Sequence, residues 1–383
     1  MWPARVLRRV WQIYTAHLLL FLVLMAEIAY VTTVSAKPEF YIQEMEVAEF
    51  FKQRTGLRIV HVPGKGHLTP FALDVGRFAL EWYQTYYGIP YPTDKCDMLA
   101  LPDFAAGAME NLGCITYRES LLLVDTATST QTEQQTVADV ITHELAHMWF
   151  GDLVTMRWWN GIWLNEAFAT FMEVACCAAY RPDWQRWTTF SLERSAAFET
   201  DSLATTRTVE FPVEAPADCD GMFDVLTYQK GGALLRMLEQ YLGEEQFRQG
   251  VSHYLRTHSY GNTETGDLWD AIEAVNPAEP VRRLMDSWIW QAGYPLVSAS
   301  LDGDHLVLRQ QRFAFGDSED ATLFVVPVHL HNGDRDWKVL LDGDELRVGD
   351  TTLLFLDATA RDDAASAARD ADPEGETVSA PAD

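Results

Sequence analysis

Two histidines four positions apart, His143 and His147, enclose Glu144, and Glu166 follows after eighteen intervening residues. Positions four apart share one face of an α-helix, so both imidazoles can reach a single ion. Glu144 lies one step round that helix, where it can touch a water on the ion without ligating it. A second helix that supplies Glu166 as third ligand leaves the fourth position open, the pattern of a catalytic rather than a structural zinc site. The chain must therefore bring two helices together. An apolar run (Val137, Val140, Ile141) precedes the motif and Met148-Trp149-Phe150 follows it. That setting belongs to a packed helix, not to a surface helix with two solvated histidines.

Apolar spacing predicts helices over 71–87, 136–151, 164–180, 183–199, 228–242, 244–258, 264–275 and 281–293. Residues 57–62 read as a strand entering a pair through the turn Pro63-Gly64-Lys65-Gly66, and 98–101 as a buried strand. After Pro295 the period changes. Short strands are expected at 297–300, 306–312, 323–330, 337–341 and 352–356, with turns at Asp302-Gly303, Asn332-Gly333 and Asp342-Gly343. The fold class is α+β: an α-rich domain over 56–295 around a small sheet, then a small β-sandwich, or part of one, over 296–356. His329 and His331 fall on one side of a strand with no other ligand nearby, an ordinary solvent-facing pair. Residues 357–383, rich in Ala, Asp, Glu and Pro, read as a disordered acidic tail.

With 48% hydrophobic residues in 383, a substantial core is available. A balance of 29 basic against 56 acidic residues, net −27, repels phosphate backbones and argues against nucleic acid as a partner. Cys96, Cys114, Cys176, Cys177 and Cys219 form neither a CxxC pair nor a disulfide framework, which favours a reducing compartment, the cytoplasm. The first 36 residues differ from the rest. Arg5, Arg8 and Arg9 precede an apolar stretch at 13–34, the plan of a signal peptide or membrane anchor. Glu27 opposes insertion, since a carboxylate in mid-span costs about 3 kcal/mol. Two readings stay open: membrane contact through 13–34, giving an anchored or exported chain, or a leader with no membrane role. Residues 37–55 read as a linker.

A second motif, Gly107-Ala108-Met109-Glu110-Asn111, precedes His143 with thirty-one residues intervening. Tyr91-Pro92, Pro102-Asp103-Phe104, Tyr228-Gln229-Lys230-Gly231 and the run from Trp288 through Gln291 to Gly293-Tyr294-Pro295 accompany it. Together, over roughly residues 57 to 330, they resemble the zinc aminopeptidases of the membrane alanyl aminopeptidase family, the gluzincin exopeptidases. The resemblance implies a thermolysin-like zinc peptidase domain holding one Zn2+ per chain on His143, His147 and Glu166. It implies Glu144 as general base and Tyr228 as hydrogen-bond donor to the oxyanion. Gly107, Ala108, Met109, Glu110 and Asn111 would bind substrate, with Glu110 pairing the α-ammonium of peptides that have a free N-terminus. Taken alone, Tyr228 reads as a core aromatic and Glu110 as a solvated loop residue. Family members also carry an N-terminal β-domain and a C-terminal helical domain, whereas only about 55 residues precede the match here and they read as leader. Two alternatives follow: a truncated relative that binds zinc and peptide with little turnover, or an endopeptidase with an open cleft.

Overall fold

Every second residue of Gly56–His61 and Lys95–Leu101 is buried: Leu57, Ile59 and His61 in the first, Cys96, Met98 and Ala100 in the second. Such alternation belongs to strands with one face on a core. These are β2 and β3 of the computed structural model, which describes residues 41–45, 56–303, 305–315, 320–331 and 336–348. They run parallel, so the chain between them must cross over, and helix α1 (Pro70–Tyr87) does this. The turn at 63–66 therefore leads into a helix and not into the second strand of a hairpin. Gly76 lets α1 lie close to the sheet, since a Cβ there would meet Leu57 Cδ2 at 3.1 Å and Met98 Cε at 3.2 Å.

Three further strands complete this sheet in the order β1-β2-β3-β5-β4. β1 (Tyr41–Met45) pairs antiparallel with β2, from Tyr41 opposite His61 to Met45 opposite Leu57. The stretch 37–55, expected as linker, thus contains a strand, and it covers an edge of β2 that would otherwise be unpaired. β5 (Cys114–Arg118) runs parallel to β3, and β4 (Ala108–Met109) pairs antiparallel with β5. Neither was expected, because β4 is two residues long and β5 buries three in succession, Ile115 to Tyr117.

Two helices carry the histidine and glutamate motifs: α2 (Gln131–Ala146) and α3 (Trp163–Tyr180). Between them lies β6 (Val154–Met156). Thirteen of the eighteen residues of α3 are buried, so its apolar length serves the core. The Tyr83 hydroxyl of α1 bonds to Thr142 O of α2 at 2.8 Å and lies 3.2 Å from Met172 O of α3, tying both helices to one point. The helix expected over 183–199 is interrupted. Gln185 takes a left-handed φ of 52°, and two shorter helices follow, α4 (Arg186–Glu193) and α5 (Ser195–Asp201). A π-helical turn at Leu226–Lys230 precedes α6 (Gly231–Leu242), where one α-helix from Tyr228 was expected. The unit closes with α7 (Glu244–Thr257), β7 (Gly261–Thr263) parallel to β6, α8 (Thr265–Val275) and α9 (Val281–Ile289).

A second compact unit begins at Pro295. β8 (Pro295–Asp302), β9 (His305–Arg312) and β12 (Glu345–Val348) form an antiparallel sheet in the order β12-β9-β8. β10 (Val325–His331) and β11 (Asp336–Asp342) form an antiparallel pair. Leu306, Leu308 and Leu341 make its buried centre, with Val326, Val328, Val339 and Leu346 packed around them. The chain is of the α+β class. His329 and His331 are both exposed, and all five cysteines are free. The hydrophobic stretch at 13–34, the strand expected at 352–356 and the tail 357–383 lie outside the described residues.

Candidate active site

The first helix of the site starts at a capping box. Thr130 Oγ1 accepts from the Glu133 N–H at 3.2 Å, and Glu133 Oε2 accepts from the Thr130 N–H at 2.7 Å. α2 therefore begins five residues before the expected Thr136. It also ends earlier than the expected Gly151. Met148 and Trp149 donate to Leu145 O and Ala146 O at 3.3 and 3.1 Å, a tightened last turn, before Gly151 at φ 134°. His147 caps the helix with φ −58° and ψ −24°, still helical, so it stays on the face of His143 with ring centroids 4.8 Å apart.

Glu166 sits in the first turn of α3, where the unpaired N–H groups of a helix N-terminus favour a carboxylate. Its Oε2 lies 3.2 Å from His143 Nε2 and 3.4 Å from His147 Nε2. The three donor atoms all fall within 4.8 Å of one another, the one group of this kind among the described residues. The other ring nitrogens are engaged elsewhere: His143 Nδ1 with Glu173 Oε2 at 3.0 Å, and His147 Nδ1 with Phe150 O at 2.9 Å. With Nδ1–H donating outward, each Nε2 faces Glu166 and can ligate once it is deprotonated. Two neutral imidazoles and one carboxylate suit a divalent ion with an open position, and zinc fits that donor set.

Sequence reasoning missed the groups behind these ligands. Glu173 lies seven residues beyond Glu166, two turns along the same face of α3, and that spacing was the available signal. Arg186, only 1% exposed, stands behind Glu173, with Nη2 3.7 Å from its Oε1. The same guanidinium reaches Asp139 Oδ1 at 3.0 Å and Glu193 Oε1 at 3.3 Å. No local pattern announces it.

Burial acts to lower the basicity of both histidines, but the carboxylates outweigh it. Glu166 and Glu173 hold His143 well above the usual imidazole range, and Glu110 with Glu166 lifts His147 to about 9. Burial likewise opposes ionisation of Glu166, yet His147 and His143 hold it far below the usual carboxylate range. In the metal-free chain, protons therefore sit between the Nε2 atoms and Glu166. Raised imidazoles are charged at pH 7 and must lose those protons to ligate. Zinc uptake at pH 7 should then release about two protons, and affinity should climb with pH. Calorimetry in buffers of differing ionisation enthalpy measures this, and a release near zero would contradict it.

Glu144 is buried, and its Oε2 has no hydrogen-bond partner among the described residues. Burial first, then Glu110 and Glu166, pushes it up to about 8 against the pull of His143 and His147. The Tyr228 ring lies nearly parallel to that of His143, 20° between planes and 6.0 Å between centroids. Burial, with the charge of Glu166 and a hydrogen bond to it, holds the phenol protonated. Glu110 follows β4, and its charge acts on Glu144, His147, Tyr228 and Asp152. Asp152, also missed in the sequence, is raised to about 7 by burial and then by Glu110. Gly107 O accepts from Arg118 N and Asn111 O from Cys114 N, each at 2.8 Å. Ala108 and Met109 pair with Tyr117 and Thr116. The segment is thus fixed along β5, and the outer edge of β4 has no strand partner among the described residues.

Comparison with known proteins agrees with this arrangement. The family model described as the peptidase family M1 domain matches residues 71–288, over half of the chain. A second, described as OpgC protein, matches residues 1–63. Aminopeptidase M1 of Arabidopsis thaliana is 44% identical over 274 residues, covering 72% of this chain and 31% of its own length. A leucyl aminopeptidase of Saccharolobus solfataricus is 41% identical over 285 residues, 74% of this chain and 36% of its own. Tricorn protease-interacting factor F2 of Thermoplasma volcanium is 42% identical over 261 residues, 68% of this chain and 33% of its own. The chain thus spans about a third of the length of these relatives. The family model covers more than half of the chain, and the chain belongs to peptidase family M1.

Proposed function

We propose that the chain is a zinc aminopeptidase, releasing N-terminal residues from peptides. The observation that carries this reading is the buried carboxylate oxygen of Glu144, without a hydrogen-bond partner among the described residues, beside a three-donor group whose Nδ1 atoms are already engaged. His143, His147 and Glu166 would hold one zinc ion, which when bound supplies a Lewis acid for the scissile carbonyl and acidifies water. Glu144 takes the proton of the attacking water and delivers it to the leaving amine. Tyr228, kept protonated, donates to the carbonyl oxygen as negative charge develops there. The substrate backbone adds to the free edge of β4, and Glu110 pairs with its α-ammonium. The names of the relatives support this substrate class.

Hydrolysis of a fluorogenic amino-acid amide, abolished by a chelator and restored by zinc, is the direct test. Zinc uptake without hydrolysis would favour a zinc- and peptide-binding relative instead. Exopeptidase character rests on Glu110. N-acetylation of a peptide removes the charge that Glu110 pairs, and for a half-buried pair this should lower kcat/KM about 30-fold, near 2 kcal/mol. Glu110→Ala should erase that discrimination. Equal kcat/KM for free and acetylated peptides in the parent chain would favour an endopeptidase.

A further inference from the structure

We infer that Lys230 is a positioning residue for Tyr228, acting through a buried ion pair with Asp201 that holds the π-helical turn open. The inference rests on the reading of Tyr228 as donor to the carbonyl oxygen.

The turn Leu226–Lys230 is wider than an α-helix, since the Lys230 N–H donates to Val225 O, five residues back, at 3.0 Å. Such turns are rare and concentrate at functional sites. Leu-Thr-Tyr-Gln-Lys has no intrinsic preference for one, so tertiary contacts must maintain it. At its entry, Asp224 Oδ1 accepts from the N–H groups of Leu226 and Thr227 at 2.9 and 3.2 Å. Arg207 Nη2 in turn reaches Asp224 at 2.5 Å and Thr227 Oγ1 at 2.9 Å.

At its exit, Lys230 Nζ donates to Asp201 Oδ2 at 2.6 Å and to Gly293 O at 2.9 Å. The Gly293 N–H and the Thr206 hydroxyl donate to Asp201 Oδ1 at 2.9 and 2.8 Å. Asp201 is 2% exposed and Lys230 7%, so neither charge has water as an alternative partner. Residues two apart on a helix do not face each other, so Lys230 grips the side away from Tyr228. Immediately after it, a Cβ on Gly231 would lie 2.5 Å from Ala167 Cβ, next to Glu166. The turn is therefore pressed onto α3 beside the ligand while Lys230 draws it toward Asp201. Without the ammonium, relaxation to α-helical pitch takes one residue out of the turn and rotates what precedes it by about 100°. Tyr228 would then leave the ring of His143.

The test is a double-mutant cycle with two readouts, kcat and KM on an amino-acid amide, and calorimetric binding of a phosphinic dipeptide whose tetrahedral phosphorus and P–O⁻ oxygens mimic the tetrahedral carbon and its oxygens. Lys230→Met should lower kcat about 10–100-fold, with KM within about threefold and zinc content unchanged. Phosphinate affinity should fall by a similar factor. In a Tyr228→Phe background the same change should cost less than about twofold. Asp201→Asn, which keeps an acceptor for Gly293 and Thr206, should show the same pattern and serves if Lys230→Met does not fold. Equal losses in both backgrounds, or no loss in the parent, would overturn the inference and leave the aminopeptidase reading intact. A parent chain that takes up zinc but neither hydrolyses the amide nor binds the phosphinate would sink the role of Tyr228, and this inference with it.

Discussion

Glu144→Gln should keep zinc bound and lower kcat about 10²–10⁴-fold, the range of a lost general base. The substitution is nearly isosteric, and Oε2 of the native carboxylate has no hydrogen-bond partner among the described residues to lose. Burial holds Glu144 at about 8 in the metal-free chain, so a neutral amide is no harder to bury than the group it replaces. Stability should therefore be unchanged or slightly higher, which separates a chemical defect from a folding one. Single-turnover rates with metal analysis on the same preparation make the comparison. Turnover within about tenfold of the parent would remove Glu144 from the role of base.

His143→Ala and Glu166→Ala should each abolish both metal binding and hydrolysis. Two remaining protein ligands rarely hold zinc against a chelator. The variants also leave charge stranded. Without His143, Glu173 loses the imidazole 3.0 Å away and keeps Arg186 at 3.7 Å, and without Glu166 the two imidazoles lose the carboxylate that lies 3.2 and 3.4 Å from them. The parent chain should gain thermal stability on adding zinc by mass action, and neither variant should. Metal content after dialysis against a chelator reads the outcome. Full occupancy in His143→Ala would overturn the ligand assignment.

Local spacing picked out His143, His147 and Glu166 as candidate ligands, and the fold brings their donor atoms within 4.8 Å of one another. His143, Glu144 and His147 depend only on the helical period, and Glu166 on a second helix that follows β6. The change of period after Pro295 likewise marked where the β-rich unit begins. Each of these signals sits within one element or between neighbours in sequence. What lay outside that range had to come from the fold. β4 is too short to show a period, β5 buries three residues in succession, and the pairing of β1 shows only once β2 lies beside it. Arg186 meets Asp139 across 47 residues, and Lys230 meets Asp201 and Gly293 across 29 and 63. A buried charge leaves no periodic trace in the chain, because burial and partner are properties of packing between distant segments. Glu110 is the intermediate case: its motif marked it, but only β5, which holds β4 in place, puts its charge within reach of Glu144 and His147.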